Sequence, residues 1–193
     1  MDSREAWDEL YRKQPRAWRG SLKVPDLGLP KGSKVLDVGC GNGKTSSALM
    51  DLDFSVTGID YSKYAIDSCR ERFGDKNLFI ISDCWHIPFS DDYMDGIYAV
   101  HLTEHLDDIE LEEFSKECYR ILRPGGKIFI RSFSPEDMRS NNDARNGIPY
   151  YYRNPEDIAT YFESFDVDGS ILVNDKTKFR TIRSRSECIF TKL

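Results

Sequence analysis

The chain has no apolar run long enough to cross a bilayer. Its first residues, Met1-Asp2-Ser3-Arg4-Glu5, carry charge where a secretory signal would be apolar. Cysteine is sparse: Cys40, Cys69, Cys84, Cys118 and Cys188 are scattered, odd in number and free of any C-x-x-C pair. That pattern gives no disulfide framework and no zinc knuckle, and the expectation is reduced thiols in the cytoplasm. Basic charge is not in excess: 27 Lys and Arg stand against 33 Asp and Glu, a formal net charge of −6. A face that grips phosphates needs the opposite balance, so nucleic acid is not expected as an obligate partner. Repeats and low-complexity stretches are also missing, and 193 residues suffice for one domain, 1–193, with a sizeable core.

What is present is concentrated in one run, Val35-Leu36-Asp37-Val38-Gly39-Cys40-Gly41-Asn42-Gly43. Residues 35–38 read as a strand buried on both faces. Alternate glycines and a helix-compatible stretch from Lys44 to Met50 follow. A strand that feeds a glycine turn and a helix start brings bare backbone and free N–H groups up to a ligand. About twenty residues on, a second strand ends at Asp60, a carboxylate suited to two ribose hydroxyls. A nucleoside is therefore the expected ligand. Both phosphate-gripping alternatives fail by one residue. G-x-G-x-x-G would need glycine at 44, where Lys44 stands, and the P-loop ending in Gly43-Lys44-Thr45 would need it at 38, where Val38 stands.

Strands and helices alternate along the chain, which implies a mostly parallel sheet covered on both faces. The patterning places strands near 34–38, 54–59, 77–81, 94–100, 127–133, 165–173 and 185–191. Helices are expected near 4–13, 43–51, 62–73, 107–121 and 154–163, with Ser62 and Asp107 as N-caps. Pro124-Gly125-Gly126 is expected to end the fourth helix in a tight turn. The irregular stretch 134–154 is long for a compact domain, as binding lids are.

The run Asp37 to Gly43 with the distal Asp60 resembles the cofactor motif of the class I S-adenosylmethionine-dependent methyltransferases, in their small-molecule, type 11-like branch. Later segments extend the resemblance: Ile81-Ser82-Asp83-Cys84-Trp85, Asp95 to His101, and the helix–turn–strand unit from Tyr119 to Ile130. It implies an α/β, Rossmann-like, doubly wound sheet of seven strands, mostly parallel with an antiparallel last strand. It implies S-adenosyl-L-methionine as cofactor and S-adenosyl-L-homocysteine as product. Asp37 would then approach the cofactor's amino group, Gly39, Cys40 and Gly41 its methionine portion, and Asp60 and Tyr61 its ribose. Asp83, Cys84 and Trp85 would meet the adenine, and His101 would line the same pocket. Tyr11 and Trp18 look like part of an aromatic N-terminal segment, within 1–30, that closes over the cofactor. Asp60→Ala is expected to weaken binding by about 1–3 kcal/mol with little change in stability.

Methyl transfer from an activated sulfonium depends mainly on alignment, and a base is needed only where the acceptor carries a proton. The candidates are His105, His101 and Glu104, just past the fourth strand. His101-Leu102-Thr103-Glu104-His105 also matches a zinc-peptidase pattern, and a helix there would put both histidines on one face. No third ligand has an obvious source, so no metal is expected. For His105 the alternative is a packing role beneath the cofactor loop; His86 is expected to be structural or partly exposed.

The acceptor must be read from the lid and the last third of the chain. The lid region carries Arg131, Arg139, Arg145 and Tyr150-Tyr151-Tyr152-Arg153; Lys176, Lys178, Arg180, Arg183 and Arg185 follow. These residues suit an anionic or aromatic small molecule. They equally suit a solvated hairpin whose charges point outward. A protein side chain or tRNA as acceptor, and a non-catalytic nucleoside-binding module, stay open on the sequence alone.

Overall fold

The computed structural model describes residues 3–14, 22–74 and 78–193. Seven strands form one sheet: β1 (Lys34–Val38), β2 (Ser55–Asp60), β3 (Leu78–Ile81), β4 (Met94–Val100), β5 (Leu122–Phe133), β6 (Phe165–Lys176) and β7 (Ile182–Lys192). Their order is β3-β2-β1-β4-β5-β7-β6. The first five are parallel, and β7 runs antiparallel to both β5 and β6. The chain leaves β1 towards β2 and β3, then returns to β4 on the other side. That reversal opens a crevice at the carboxyl ends of β1 and β4.

The sheet is covered on both faces, as the alternation requires. Val35, Tyr98 and Phe129 pack on one side with Leu49 of helix α2 (Lys44–Met50). Leu36, Ile97 and Ile128 pack on the other, with Phe114 and Cys118 of helix α4 (Asp108–Ile121). Between these elements lies helix α3 (Lys63–Phe73), which Ser62 caps by accepting the Ala65 N–H. Asp107 starts α4 with a reciprocal capping box: Glu110 N–H donates to Asp107 Oδ1 and Asp107 N–H to Glu110 Oε2, both at 2.9 Å. Helix α1 (Ser3–Lys13) buries Ala6, Trp7 and Tyr11 against Ala65 and Ile148. Helix α5 (Pro155–Ala159) is short and continues as a 3₁₀ turn over Thr160–Phe162.

Two expectations differ from what is seen. Helix α4 ends at Ile121, before the Pro-Gly-Gly, which forms an excursion within β5: Met94 pairs with Leu122, but Gly96 already pairs with Lys127. The stretch 134–154 is not structureless. Ala144 pairs with Pro149 and Arg145 with Ile148 around Asn146-Gly147, both at positive φ, a two-residue turn matched to strand twist. Arg153 is not part of a loose lid either. Its buried guanidinium donates to Thr103 O, Leu106 O and Asp108 Oδ1. Among the described residues no helix is long and apolar enough to cross a membrane.

Candidate active site

A cavity of about 680 Å³ occupies the crevice. Its floor is the glycine turn after β1, where Gly39 and Gly41 have φ of 69° and 52°. A Cβ on Gly41 would overlap the Tyr11 hydroxyl, so only glycine keeps this wall clear. Asp60, at the end of β2, holds the turn in place. Its Oδ2 accepts the Gly41 N–H and its Oδ1 the Ser62 N–H, each at 2.9 Å. Burial pushes the Asp60 carboxyl up to about 6, against the lowering effect of those two N–H donors. Tyr61 lines the same wall, with the Arg4 guanidinium over its ring at 5.2 Å.

The carboxyl end of β3 supplies the next wall through Ser82, Asp83, Cys84 and Trp85. Asp83 Oδ1 accepts the His86 N–H at 2.8 Å, which fixes the carboxylate at the rim. The His86 side chain is 84% exposed, with Nδ1 3.7 Å from Asp83 Oδ1. Burial drives the Cys84 thiol far above its ordinary range.

Opposite lies the exit of β4. His101 has φ 60°, a left-handed conformation uncommon outside glycine and more often tolerated by His, Asn and Asp. Its Nδ1 sits 2.7 Å from Glu104 Oε1. Glu104 is fully buried, and its Oε2 has no hydrogen-bond partner among the described residues. Residues 103–105 form a 3₁₀ turn rather than the helix that would align two histidines. His105 Nδ1 is instead 2.8 Å from Pro149 O, with its ring edge-on to Trp7 and Tyr150. Burial lowers its affinity for a proton. Among the described residues no three His, Cys, Asp or Glu side chains converge to hold a metal.

The far wall comes from the ends of β5 and β7: Phe133, Arg139, Arg183 and Arg185, with Tyr150 from the hairpin. The expected basic stretch is thus divided. Lys176, Lys178 and Arg180 are exposed at the β6–β7 turn, whereas Arg183 and Arg185 face the cavity. Arg131 lies in β5, where it pairs with Glu187 at 2.7 Å.

A family model described as a methyltransferase domain (Methyltransf_11) matches residues 36–130, the span from β1 into β5. The chain belongs to the S-adenosylmethionine-dependent methyltransferases. Among curated members, the sterol 24-C-methyltransferase erg6 of Aspergillus fumigatus is 32% identical over 123 residues, 61% of this chain and 32% of that protein. An O-methyltransferase of Pyrenophora dematioidea is 31% identical over 153 residues, 76% of this chain and 51% of that one. A solved SAM-dependent methyltransferase of Methanosarcina mazei superposes with a TM-score of 0.72 at 22% identity, covering 86% of this chain and 94% of that chain. At that identity the likeness is one of fold. The chain spans about a third to a half of the length of these two curated methyltransferases.

In this methyltransferase fold the expected residues Tyr11, Gly39, Cys40, Gly41, Asp60, Tyr61, Asp83, Cys84, Trp85 and His101 all line one cavity, with Glu104 and His105. Asp37 does not. It lies behind the turn, where Ser46 Oγ donates to its Oδ2 at 2.5 Å, and burial pushes its carboxyl up to about 7. Asp37 thus anchors α2 to β1. Trp18 lies outside the described residues. Phe133 and Glu110 were not singled out as site residues, although each stands at an element end that faces the crevice. For Phe133 a signal existed, the last position of an apolar strand.

Proposed function

We propose that the cavity binds S-adenosylmethionine and that the chain transfers its methyl group to a small molecule. The observation that carries this reading is the Asp60 clamp on a glycine turn with no room for a Cβ. Tyr11 closes over that turn, and the remaining lone pairs of Asp60 suit ribose hydroxyls. Asp83 would take the adenine amino group beside Cys84 and Trp85, and Gly39 and Gly41 would pass the methionine portion. Bound there, the cofactor supplies an electrophilic methyl on sulfur.

His101 is assigned the role of base. A carboxylate that accepts from Nδ1 fixes the tautomer that leaves Nε2 free to take a proton. Glu104, held by burial and by the staple from Arg153, orients that ring. His105, packed and poor at holding a proton, serves as a post between α1 and the hairpin. The stretch 134–154 acts as a lid over the acceptor, with Tyr151 N–H bonded to Glu104 O at 2.7 Å and Tyr150 on the cavity wall. Five free, buried thiols suit a reducing compartment, and we place the enzyme in the cytoplasm.

Calorimetric titration tests the cofactor: S-adenosylmethionine and S-adenosylhomocysteine should bind, NAD and ATP should not. Binding of ATP or NAD alone would remove the reading. For the acceptor, a cell extract is incubated with methyl-labelled cofactor and separated by size. Label in the small-molecule pool is expected, and label confined to macromolecules would move the activity to protein or tRNA.

A further inference from the structure

Side chains of both signs line the cavity, and the arginines gather on one wall. Acids face it from the β2 and β3 ends, the β4 exit and α4: Asp60, Asp83, Glu104 and Glu110. Arg139, Arg183 and Arg185 face it together from beyond β5 and from β7, while Arg4 sits over Tyr61 beside Asp60 and Lys44 opens α2. Among the described residues Asp137 is the buried carboxylate beside those arginines, with the half-buried Glu187 near Arg185. Asp137 Oδ1 accepts the Arg139 backbone N–H at 3.0 Å, and its Oδ2 accepts Arg183 Nε at 2.8 Å and the Ser184 N–H at 2.9 Å. Asp137 is therefore committed to fixing the loop and one guanidinium.

The other two guanidiniums are left short of partners. Among the described residues Arg139 makes no ion pair, and its side chain rests over the Phe133 ring at 5.3 Å. Arg185 pairs at one end with the exposed Asp175, while its Nε is buried with no hydrogen-bond partner among the described residues. Burial and the neighbouring Arg183 and Arg145 lower the proton affinity of Arg139; burial and Arg131 do the same to Arg185. Gathering like charges with donors unsatisfied is costly unless an anion completes the cluster. Phe133 ties this cluster to the base. Its ring lies 4.4 Å from the His101 ring and 4.6 Å from the Arg183 guanidinium.

We infer that the methyl acceptor carries an oxyanion, a carboxylate or phosphate, which Arg139 and Arg185 grip while its nucleophilic atom faces His101. The inference rests on the methyl-transfer reading of the same cavity. Guanidinium forks match either oxyanion, and their place on the cavity wall beside Phe133, which touches His101, would make these arginines the residues that select the acceptor.

The test titrates S-adenosylhomocysteine-saturated protein with inorganic phosphate, benzoate and neutral benzamide at fixed ionic strength. Phosphate or benzoate should bind at least about tenfold tighter than benzamide. Phosphate ahead of benzoate indicates a phosphate-bearing acceptor, and the reverse order a carboxylate. Arg139→Gln and Arg185→Gln should each weaken the anion roughly tenfold and leave S-adenosylhomocysteine affinity within about twofold. Arg139→Lys and Arg185→Lys, which keep the charge, should retain part of the binding and serve if a Gln variant fails to fold. Binding of both phosphate and benzoate no tighter than benzamide, or anion affinity unmoved by both substitutions, overturns the inference. So does a loss of S-adenosylhomocysteine affinity in the variants, which would give the arginines to the cofactor's carboxylate. If the wild-type protein ignores S-adenosylhomocysteine, the methyl-transfer reading fails, and the acceptor assignment falls with it. The same anion titration on the free protein then reports whether the arginine site exists without it.

Discussion

Asp60 and Gly41 are nineteen residues apart in the chain and bonded at 2.9 Å, the buried carboxylate accepting the N–H of the residue that cannot carry a side chain. One bond thus joins the end of β2 to the turn after β1 and shapes the floor of the cavity. It also alters what a substitution there will do.

Asp60→Ala removes acceptors for the Gly41 and Ser62 N–H groups and, on the proposed function, for ribose hydroxyls. Sequence reasoning expects little effect on stability, because a strand-end carboxylate reads as part of the pocket. The geometry predicts a loss of about 1–3 kcal/mol in urea unfolding, together with weaker cofactor binding of similar size by calorimetry. A destabilised variant with undiminished S-adenosylhomocysteine affinity would make Asp60 purely structural.

Burial raises both Asp37, to about 7, and Asp60, to about 6, above the ordinary carboxyl value of 3.8. Between pH 4 and 7 the folded chain therefore holds protons at these sites that the unfolded chain has released. Their contribution to stability is full below about pH 4 and falls as pH rises towards 7. His105 works oppositely, since its lowered proton affinity costs stability as pH drops below its ordinary value of 6.5. Comparing wild type with Asp37→Asn isolates one carboxyl: the stability difference should shift in favour of the Asn variant from about pH 4 to about pH 7.5. A flat difference across that window counts against a raised Asp37. Cofactor binding should move the other way and strengthen as Asp60 ionises.

His101 combines a left-handed backbone with the proposed chemistry, and two substitutions separate them. Asn tolerates that conformation, so His101→Asn should melt near wild type while methyl transfer to the small-molecule pool falls by about 10²–10⁴. His101→Val should in addition lose about 1–3 kcal/mol of stability through backbone strain. Glu104→Gln should shift the pH dependence of transfer without moving S-adenosylhomocysteine affinity. A fully active His101→Asn enzyme would leave alignment alone as the source of catalysis.

Gly41→Ala places a methyl group on the Tyr11 hydroxyl. The variant should lose cofactor affinity by at least about tenfold and unfold more easily, because Tyr11 is a buried contact of α1. Tyr11→Phe in the same chain removes the overlapping oxygen and should recover part of both losses, a coupling that a double-mutant cycle reads directly. Strict additivity of the two changes would place the damage in the backbone alone.

Much of the framework is legible in local sequence. Spacing and polarity suffice for β1, the glycine turn, α2 and β2, and for the caps at Ser62 and Asp107, because each depends on residues within one turn or one pleat of its neighbours. Asn146-Gly147 was legible too, as a two-residue hairpin signal, though the length of the surrounding stretch obscured it. The Pro-Gly-Gly after α4 was misplaced because such residues punctuate a strand as readily as a helix end.

By itself the sequence determined the alternating α/β pattern and the glycine turn between β1 and α2, since period, cap chemistry and glycine placement act over short range. Tertiary structure alone decided that Asp37 would anchor α2 and stay off the cavity wall, that His101 and not His105 would meet Glu104, and that Arg139, Arg183 and Arg185 would gather on one cavity wall. Arg185 reaches that cavity because antiparallel pairing sets it opposite Phe133. Such a juxtaposition is a property of strand register and burial between segments about fifty residues apart, and no local spacing encodes it.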